Sequence, residues 1–485
     1  MNPVRNSRLA GVSRIRHRKR AAALLLAALA SLTPLAAQTS SSASPDDIAA
    51  LREQIRLLDQ KIRIIERNQE LKDEAAAAAA AKPAAPSPKV SLDGKGFVVT
   101  SPDKDFSLKI GALAQFDARV FLDDGAPNRD GFLLRRIRTP LSGTVGKIYN
   151  FNITPEYAGG NSTTSSVTLV DAWLDARFSP LFGLKAGKYT LPVVLEPGSN
   201  RHFNESPFPN TLAPNRDLGI EAFGAFSEGL VAYRLGVFNG APNNTQNFGG
   251  GSPWGEDGDF TTAGRLTVVP FSKSEGALSK LALSVGGSYG NERASTNGGG
   301  LTNIVSNGQQ SVLSWGALRA DGEHLRVSPG IEWYTGGPFS AAAEFIWERQ
   351  DLTNGTTFNK SVTNTGWRVS AGYVLTGEEA TKNGVTPKTP FNWENGTWGA
   401  FEIVGRLSGL DLDSKLFNGA GSLSDTNNIT GAFSYGVGLN WYLTGNVRAL
   451  FNVEQTEYDG GGASTAAVGA RSDELYFFTR FQLQF

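Results

Sequence analysis

From Phe106 onward the sequence alternates apolar and polar residues with a period of two. Phe106, Leu108, Ile110, Ala112, Ala114, Phe116, Ala118 and Val120 share one parity. Ser107, Lys109, Gly111, Gln115, Asp117 and Arg119 share the other, with Leu113 the exception. The pattern returns at Tyr149–Tyr157, Phe433–Leu443, Val447–Val453 and Leu475–Phe485. A helix scatters such a pattern around its axis, whereas a strand turns it into one apolar and one polar face. The stretches run to about 10 residues, the length of a tilted strand that crosses a bilayer.

Alternation alone fits two architectures. A soluble sandwich buries its apolar face, and a membrane barrel turns that face to lipid and the polar face to a lumen. Three features favour the barrel. Aromatic residues gather at strand ends (Tyr149 and Tyr157, Trp441 and Tyr442, Phe477 to Phe485), as interfacial girdles do. Connections alternate between short and long. The N-terminus reads as an export signal. In it Arg14, Arg16, Arg18, Lys19 and Arg20 precede the apolar run Ala21–Ala30, and Leu35-Ala36-Ala37 stands before Gln38. That run is too short to span a membrane as a helix, and no later segment is apolar enough. The chain has no cysteine, so disulfides, thiolate chemistry and a lipidated N-terminal cysteine are excluded.

Residues 1–37 are thus expected to be a leader. Residues 46–74 follow as a helix whose Ile48, Leu51, Ile55, Leu58, Ile62 and Ile65 form an a/d seam over about three heptads. Residues 75–104 read as an Ala/Pro-rich linker of extended character, and residues 105–485 as the barrel. Tight turns are expected near Gly146-Lys147, Ser179 and Ser227–Gly229, and longer loops at Asp123–Asp130, Asn239–Gly258 and from Asn291. A stretch at Leu313–Arg319 could be a further strand. Leaving it in the loop gives a 16-stranded antiparallel transmembrane β-barrel, and 18 strands is the alternative. Pro140 and Pro155 fall within expected strands and call for bulges or rim positions there.

The stretch Leu191–Asp217 carries five prolines, which exclude a helix and a central strand. It also carries Val193, Val194, Leu195, Phe203, Phe208 and Leu212, which give it something to pack. It reads as a loop folded against an inner wall that narrows a channel, the third at its end of the barrel. Leu191, Glu196, His202, Phe203 and Asp217 mark its course. A surface excursion is the plain alternative.

Several segments together resemble one known family, the phosphate-selective porins O and P of Gram-negative outer membranes. They are FLLRRIRTPLSG at Phe132, VDAWLDARFSPLFGLKAGKY from Val170, YRLGVFNG from Tyr233 and GRLTVVPF from Gly264. GGPFSAAAEF from Gly336, YVLTGE at Tyr373, WGAFEIVGRLSGLDL from Trp398, GLNWYLTGNVRALFNV from Gly438 and the ending RFQLQF complete the set. The resemblance implies a trimeric 16-strand barrel in the outer membrane, a third loop that constricts the channel, and anion or phosphate passage along a basic lumen. The helix before the barrel would then stand in the periplasm. Small hydrophilic or anionic solutes and outer-membrane lipid are the implied partners. No cofactor is implied, and nothing in the sequence points to nucleic acid.

Candidates for the anion path follow from parity and from that resemblance. Arg136 and Arg138 lie opposite Leu133, Ile137 and Leu141 and should point inward. Arg135 should face lipid unless a bulge re-aims it. Lys185 should face the lumen below the narrowing loop, and Lys188, Arg201 and Arg216 flank or occupy that loop. Charge balance argues the other way. Residues 1–105 hold 17 of the 46 basic and 11 of the 46 acidic residues, which leaves the barrel 29 basic against 35 acidic. A general porin without anion preference and an envelope-tethering barrel are the alternative functions. An enzyme is disfavoured: beyond His17 only His202 and His324 exist, and no catalytic signature accompanies them.

Overall fold

The computed structural model describes residues 44–81, 87–94, 96–122, 130–158, 167–195, 202–240, 259–461 and 473–485. The expected leader lies outside them. The chain divides into two units, residues 1–85 and 86–485.

The described residues of the first unit form a helix, α1 (Pro45–Ala81), about 55 Å long at 1.5 Å per residue. Ser44 Oγ accepts from the Asp46 amide, Pro45 opens the first turn, and Asp46 and Asp47 face the positive end of the helix dipole. The helix runs on through Ala75–Ala81, which the sequence reading had assigned to an extended linker. Alanine has the highest helix propensity, and the next proline after Pro45 comes only at position 83. Every residue of the a/d seam is exposed, from Ile48 at 44% to Ile65 at 67%.

The second unit opens with a hairpin, β1 (Lys89–Asp93) and β2 (Gly96–Thr100), in the rest of the expected linker. The wall begins with β3 (Ser107–Ile110), β4 (Leu113–Phe121), β5 (Gly131–Arg138), β6 (Leu141–Val145), β7 (Tyr149–Glu156), β8 (Thr168–Ser179), β9 (Phe182–Thr190) and β10 (Arg216–Phe226). It continues with β11 (Val231–Phe238), β12 (Thr261–Val268), β13 (Leu281–Arg293), β14 (Arg319–Tyr334) and β15 (Phe339–Thr353). The last strands are β16 (Asn359–Val374), β17 (Ala400–Asp411), β18 (Ile429–Tyr442), β19 (Val447–Gly460) and β20 (Asp473–Gln484). Each strand from β7 to β20 pairs antiparallel with its sequence neighbours, and β20 closes the cylinder on β4. The wall has sixteen staves, because β3 and β4 form one interrupted stave and β5 and β6 another. The second interruption is Thr139-Pro140, since proline cannot donate to the ladder. At Pro155 the β7–β8 register shifts, as a proline within a strand requires. The hairpin β1–β2 adds to β3 and extends the wall at the end where the chain terminus lies.

The chain enters the wall at β3 and leaves it at β20 on one rim, called here the terminal end. Connections there are mostly short: Gly146 and Lys147 turn with positive φ, and so do Ser227, Glu228 and Gly229. At the opposite end the segment Leu313–Leu318 belongs to a loop and not to a strand, which is the sixteen-strand reading. The connection between β15 and β16 covers only residues 354–358.

The burial pattern separates the two architectures that alternation left open. Along β10, Ile220 is 61% exposed while the adjacent Glu221 is 1% exposed. Outward residues such as Leu235, Val437 and Phe481 are exposed, and inward Asp117, Glu344, Arg406 and Ser434 are buried. An apolar exterior around a polar interior is the arrangement of a barrel in lipid. The hydrophobic core sits inside the cylinder. Leu191, Val193, Val194, Phe208 and Leu212 pack there with Leu301, Ile304, Val312 and Leu318, against inward Ile346, Leu352, Val362 and Leu410.

Candidate functional site

The loop between β9 and β10 folds into the lumen. Its ends are tied where the Leu191 amide donates to the Asn215 carbonyl at 3.0 Å. Residues 192–195 then lie against the inner wall of β13 and β14, which approach closely only because glycines face them. A Cβ at Gly286 would stand 2.1 Å from the Val193 carbonyl oxygen, and one at Gly330 would stand 2.8 Å from Leu195 Cδ1. Glu196 and Arg201 lie outside the described residues.

From His202 the loop is bolted to the wall by polar contacts. His202 Nε2 is 3.2 Å from Ser340 Oγ and 3.8 Å from Glu402 Oε1, and its carbonyl accepts from Asn440. Serine and carboxylate thus meet the same ring nitrogen, whereas a catalytic relay needs them on opposite nitrogens. Ser340 is also fully buried. The Arg406 guanidinium stacks over Phe203 at 4.3 Å. The Asn204 amide donates to Asn452 Oδ1 at 2.8 Å, and its carbonyl accepts from Arg480. Glu205 is the hub. Its carboxylate accepts from Arg119 at 2.7 Å, Arg135 at 2.7 Å and Arg480 at 2.9 Å, and its carbonyl accepts from Arg406 at 2.7 Å. Burial on its own would raise the Glu205 carboxyl, but the charges of Arg135, Arg480 and Arg119 outweigh it and hold the group well below the usual carboxylate range. The loop ends in one turn of helix, α2 (Pro209–Leu212), with proline at its start. The prolines exclude a long helix but permit this turn.

A second loop, residues 294–318, also enters the lumen, which the sequence reading did not anticipate. Thr211 Oγ1 donates to the Asn303 carbonyl and accepts from the Val305 amide. At the loop tip Asn307 Nδ2 donates to Ser408, Ser434 and Glu454, and Ser306 Oγ donates to Glu474. The signal was the run of apolar residues from Leu301 to Leu318, too rich for a solvated loop and there read in part as a possible strand.

Between the two loops, strand β5 and the start of β10 a polar cleft of about 100 Å³ remains. Arg135, Arg136, Arg138 and Arg216 line it, with Glu205 as the one acid among the described lining residues and Asn210 and Gln309 among the neutral ones. Arg135 reaches this side because the β4–β5 register steps from Gln115↔Arg136 to Phe116↔Leu134 and leaves Arg135 as a bulge residue. Three of the four arginines are matched: Arg135 with Glu205, Arg138 Nε with Glu156 at 2.6 Å, and Arg216 Nε with Asp171 at 3.0 Å. Arg136 is not. Its Nη1 donates to the neutral Gln115 Oε1 at 3.1 Å, its Nε has no partner, and among the described residues it forms no ion pair.

The remaining expected residues stand elsewhere. Lys185 holds its ammonium over the rings of Trp173 and Tyr189, at 4.1 and 4.2 Å, and Lys188 is buried among the charges of Arg216, Asp171 and Asp217. Leu191, His202 and Phe203 are buried docking residues and do not line the cleft. Asp217 Oδ2 accepts from the Gly240 amide at 2.8 Å, at the end of the neighbouring stave.

The family model for phosphate-selective porin O and P matches residues 108–485. No curated protein matches the sequence. Among solved structures, the outer membrane channel DcaP of Acinetobacter baumannii aligns with a TM-score of 0.50 at 9% identity, over 78% of this chain and 97% of that one. A loop-deletion form of OmpT from Vibrio cholerae gives 0.49 at 10% identity, over 79% and 100%. An anion-selective porin from Comamonas acidovorans gives 0.48 at 10% identity, over 78% and 100%. At 9% identity the likeness to the DcaP channel is one of fold.

Proposed function

The chain belongs to the phosphate-selective porin O and P family, and from that premise we propose that its outer-membrane channel passes small hydrophilic solutes by diffusion and prefers anions. One observation carries the preference: four arginines line the cleft left between the inward loops and the wall, and Arg136 has donors committed to no carboxylate. An anion entering a narrow, low-dielectric passage loses hydration, and guanidinium groups replace it with charge-assisted hydrogen bonds. The balance of 29 basic against 35 acidic residues in the barrel does not oppose this, because most lumen acids hold other arginines or the loops.

The test is chloride current through purified protein in a planar bilayer, with phosphate added. Block at millimolar phosphate, weakened in Arg136→Gln, is the expected result. A current indifferent to phosphate in both proteins would leave a general porin.

The exposed seam of α1 supports a second part of the proposal. It pairs with the seams of further copies, giving a homotrimer whose helices stand at the periplasmic side. Deleting residues 48–70 should lower the oligomer's resistance to dissociation in detergent and leave single-channel conductance unchanged. Envelope defects with intact conductance would instead favour a tether.

A further inference from the structure

Connections at the terminal end are short in most porin-like barrels, yet the one between β16 and β17 covers residues 375–399. Its first half turns inward: Ala380 and Val385 are buried against Val374, Ala400 and Tyr442. Its second half turns outward and is built as a small hairpin. Asn392 and Thr397 pair through backbone hydrogen bonds of 3.0 and 3.1 Å, and Thr397 Oγ1 donates to the Pro390 carbonyl at 2.7 Å. The hairpin is fastened to the wall. The Phe391 amide donates to the Leu443 carbonyl at 2.7 Å, and Trp441 Nε1 donates to the Trp398 carbonyl at 2.6 Å.

These ties hold a cluster of aromatic rings in place. Phe401 stacks on Trp441 with centroids 5.8 Å apart, Phe391 meets Trp441 edge-on at 5.5 Å, and Trp398 stands 6.4 Å from both Trp441 and Trp393. Phe401 and Trp441 have the outward parity of Ile403 and Leu439, so the cluster continues the apolar exterior of the barrel. Yet Trp393 is 78% exposed and Trp398 53% exposed. Asn392, Glu394 and Asn395 alternate with the aromatics at the tip. An apolar ring set with a polar tip suits the boundary between acyl chains and headgroups, where tryptophan is enriched.

We propose that residues 390–398 form a membrane-interface anchor, in which Trp393 and Trp398 insert at the headgroup level of the leaflet at the terminal end and contact phospholipid. The proposal rests on the porin reading, since the occupant is inferred from continuity with a wall that faces lipid.

The absence of cysteine allows a direct test. Trp393→Cys is labelled with a nitroxide in the full-length protein, which is reconstituted in phosphatidylethanolamine–phosphatidylglycerol vesicles. Collisions with oxygen, which partitions into lipid, are compared with collisions with a water-soluble nickel complex. Leu407→Cys on the outward wall and Thr356→Cys in the 354–358 turn serve as references. Nickel accessibility at the Trp393 site severalfold below that at Thr356, with oxygen accessibility approaching that at Leu407, supports the anchor. Nickel accessibility equal to that at Thr356 overturns it, and so does shielding from both reagents, which would mean that protein covers the site. A Leu407 site that behaves as water-exposed would refute the lipid-facing wall itself. Because cysteine removes the indole, a second measurement keeps it: lipids brominated near the headgroup should quench native protein more than Trp393→Phe, and equal quenching would count against the anchor.

Discussion

The two halves of the lumen use arginine differently. On strands β14 to β20, Arg326 faces Glu348, Arg368 faces Glu344, Arg406 faces Glu454 and Arg480 faces Asp117. Three of these arginines also donate to loop carbonyls, Arg326 to Leu212, Arg406 to Glu205 and Arg480 to Asn204. Their charge is neutralised and their donors hold two loops in place, so this half is a docking surface. On β5 and at the start of β10, Arg135, Arg136, Arg138 and Arg216 line open space; three of them are matched with acids, and Arg136 forms no ion pair among the described residues. The difference shows that the count of lumen charges says little about ion preference. What matters is which guanidinium groups have donors left for a solute.

Four predictions sharpen or break that contrast. The largest effect belongs to Glu205→Gln. It leaves Arg119, Arg135 and Arg480 without their shared carboxylate, and breaking a buried ionic cluster typically costs about 3–5 kcal/mol. The loop should detach from the wall, and single-channel conductance should rise severalfold with added noise. Unchanged conductance would show that the loop does not narrow the channel.

Phe208→Ala removes a 1% exposed ring from the core inside the lumen. A loss of about 3–5 kcal/mol is expected, read as a lower temperature for the heat-induced mobility shift of the folded barrel. Arg368→Gln, on the docking half, should lower that temperature less and leave ion selectivity as in the native protein. A change in selectivity there would abolish the distinction between the halves.

The smallest effect concerns pH. The folded Glu205 carboxyl is held well below its ordinary range, so its stabilising charge is present above the unfolded value and is lost only as pH falls through the depressed folded value. Loop docking should therefore persist from pH 7 down past about 4.3, the ordinary glutamate value. Conductance measured across that range should stay level, and a rise near the ordinary value would show that Glu205 is not so held.

Much of the wall was legible because its signals are local. Period-two parity placed the staves, Gly146-Lys147 and Ser227–Gly229 marked turns, and Pro140 marked the interruption between β5 and β6. The five prolines and the apolar residues of Leu191–Asp217 identified the inward loop. What escaped depends on partners distant in sequence. Arg135 turns inward through a bulge set by the register against Gln115 and Phe116. The 294–318 loop enters because Glu454 and Glu474, more than a hundred residues later, accept from its tip. Lys185 and Lys188 had the right position but not the cleft, since aromatic rings and neighbouring charges already occupy them. The hairpin at Asn392–Thr397 lies in a connection whose length, not its pattern, was the only sign.

The proposed anion preference rests on Arg136, whose guanidinium meets no carboxylate among the described residues. It is tested most directly by the zero-current potential across a planar bilayer under a KCl gradient, for the native protein and for Arg136→Gln. A potential of anion sign in the native protein that moves toward zero in the variant is the predicted result. A near-zero or cation-sign potential in the native protein, or an anion-sign potential that the substitution leaves unmoved, would contradict it.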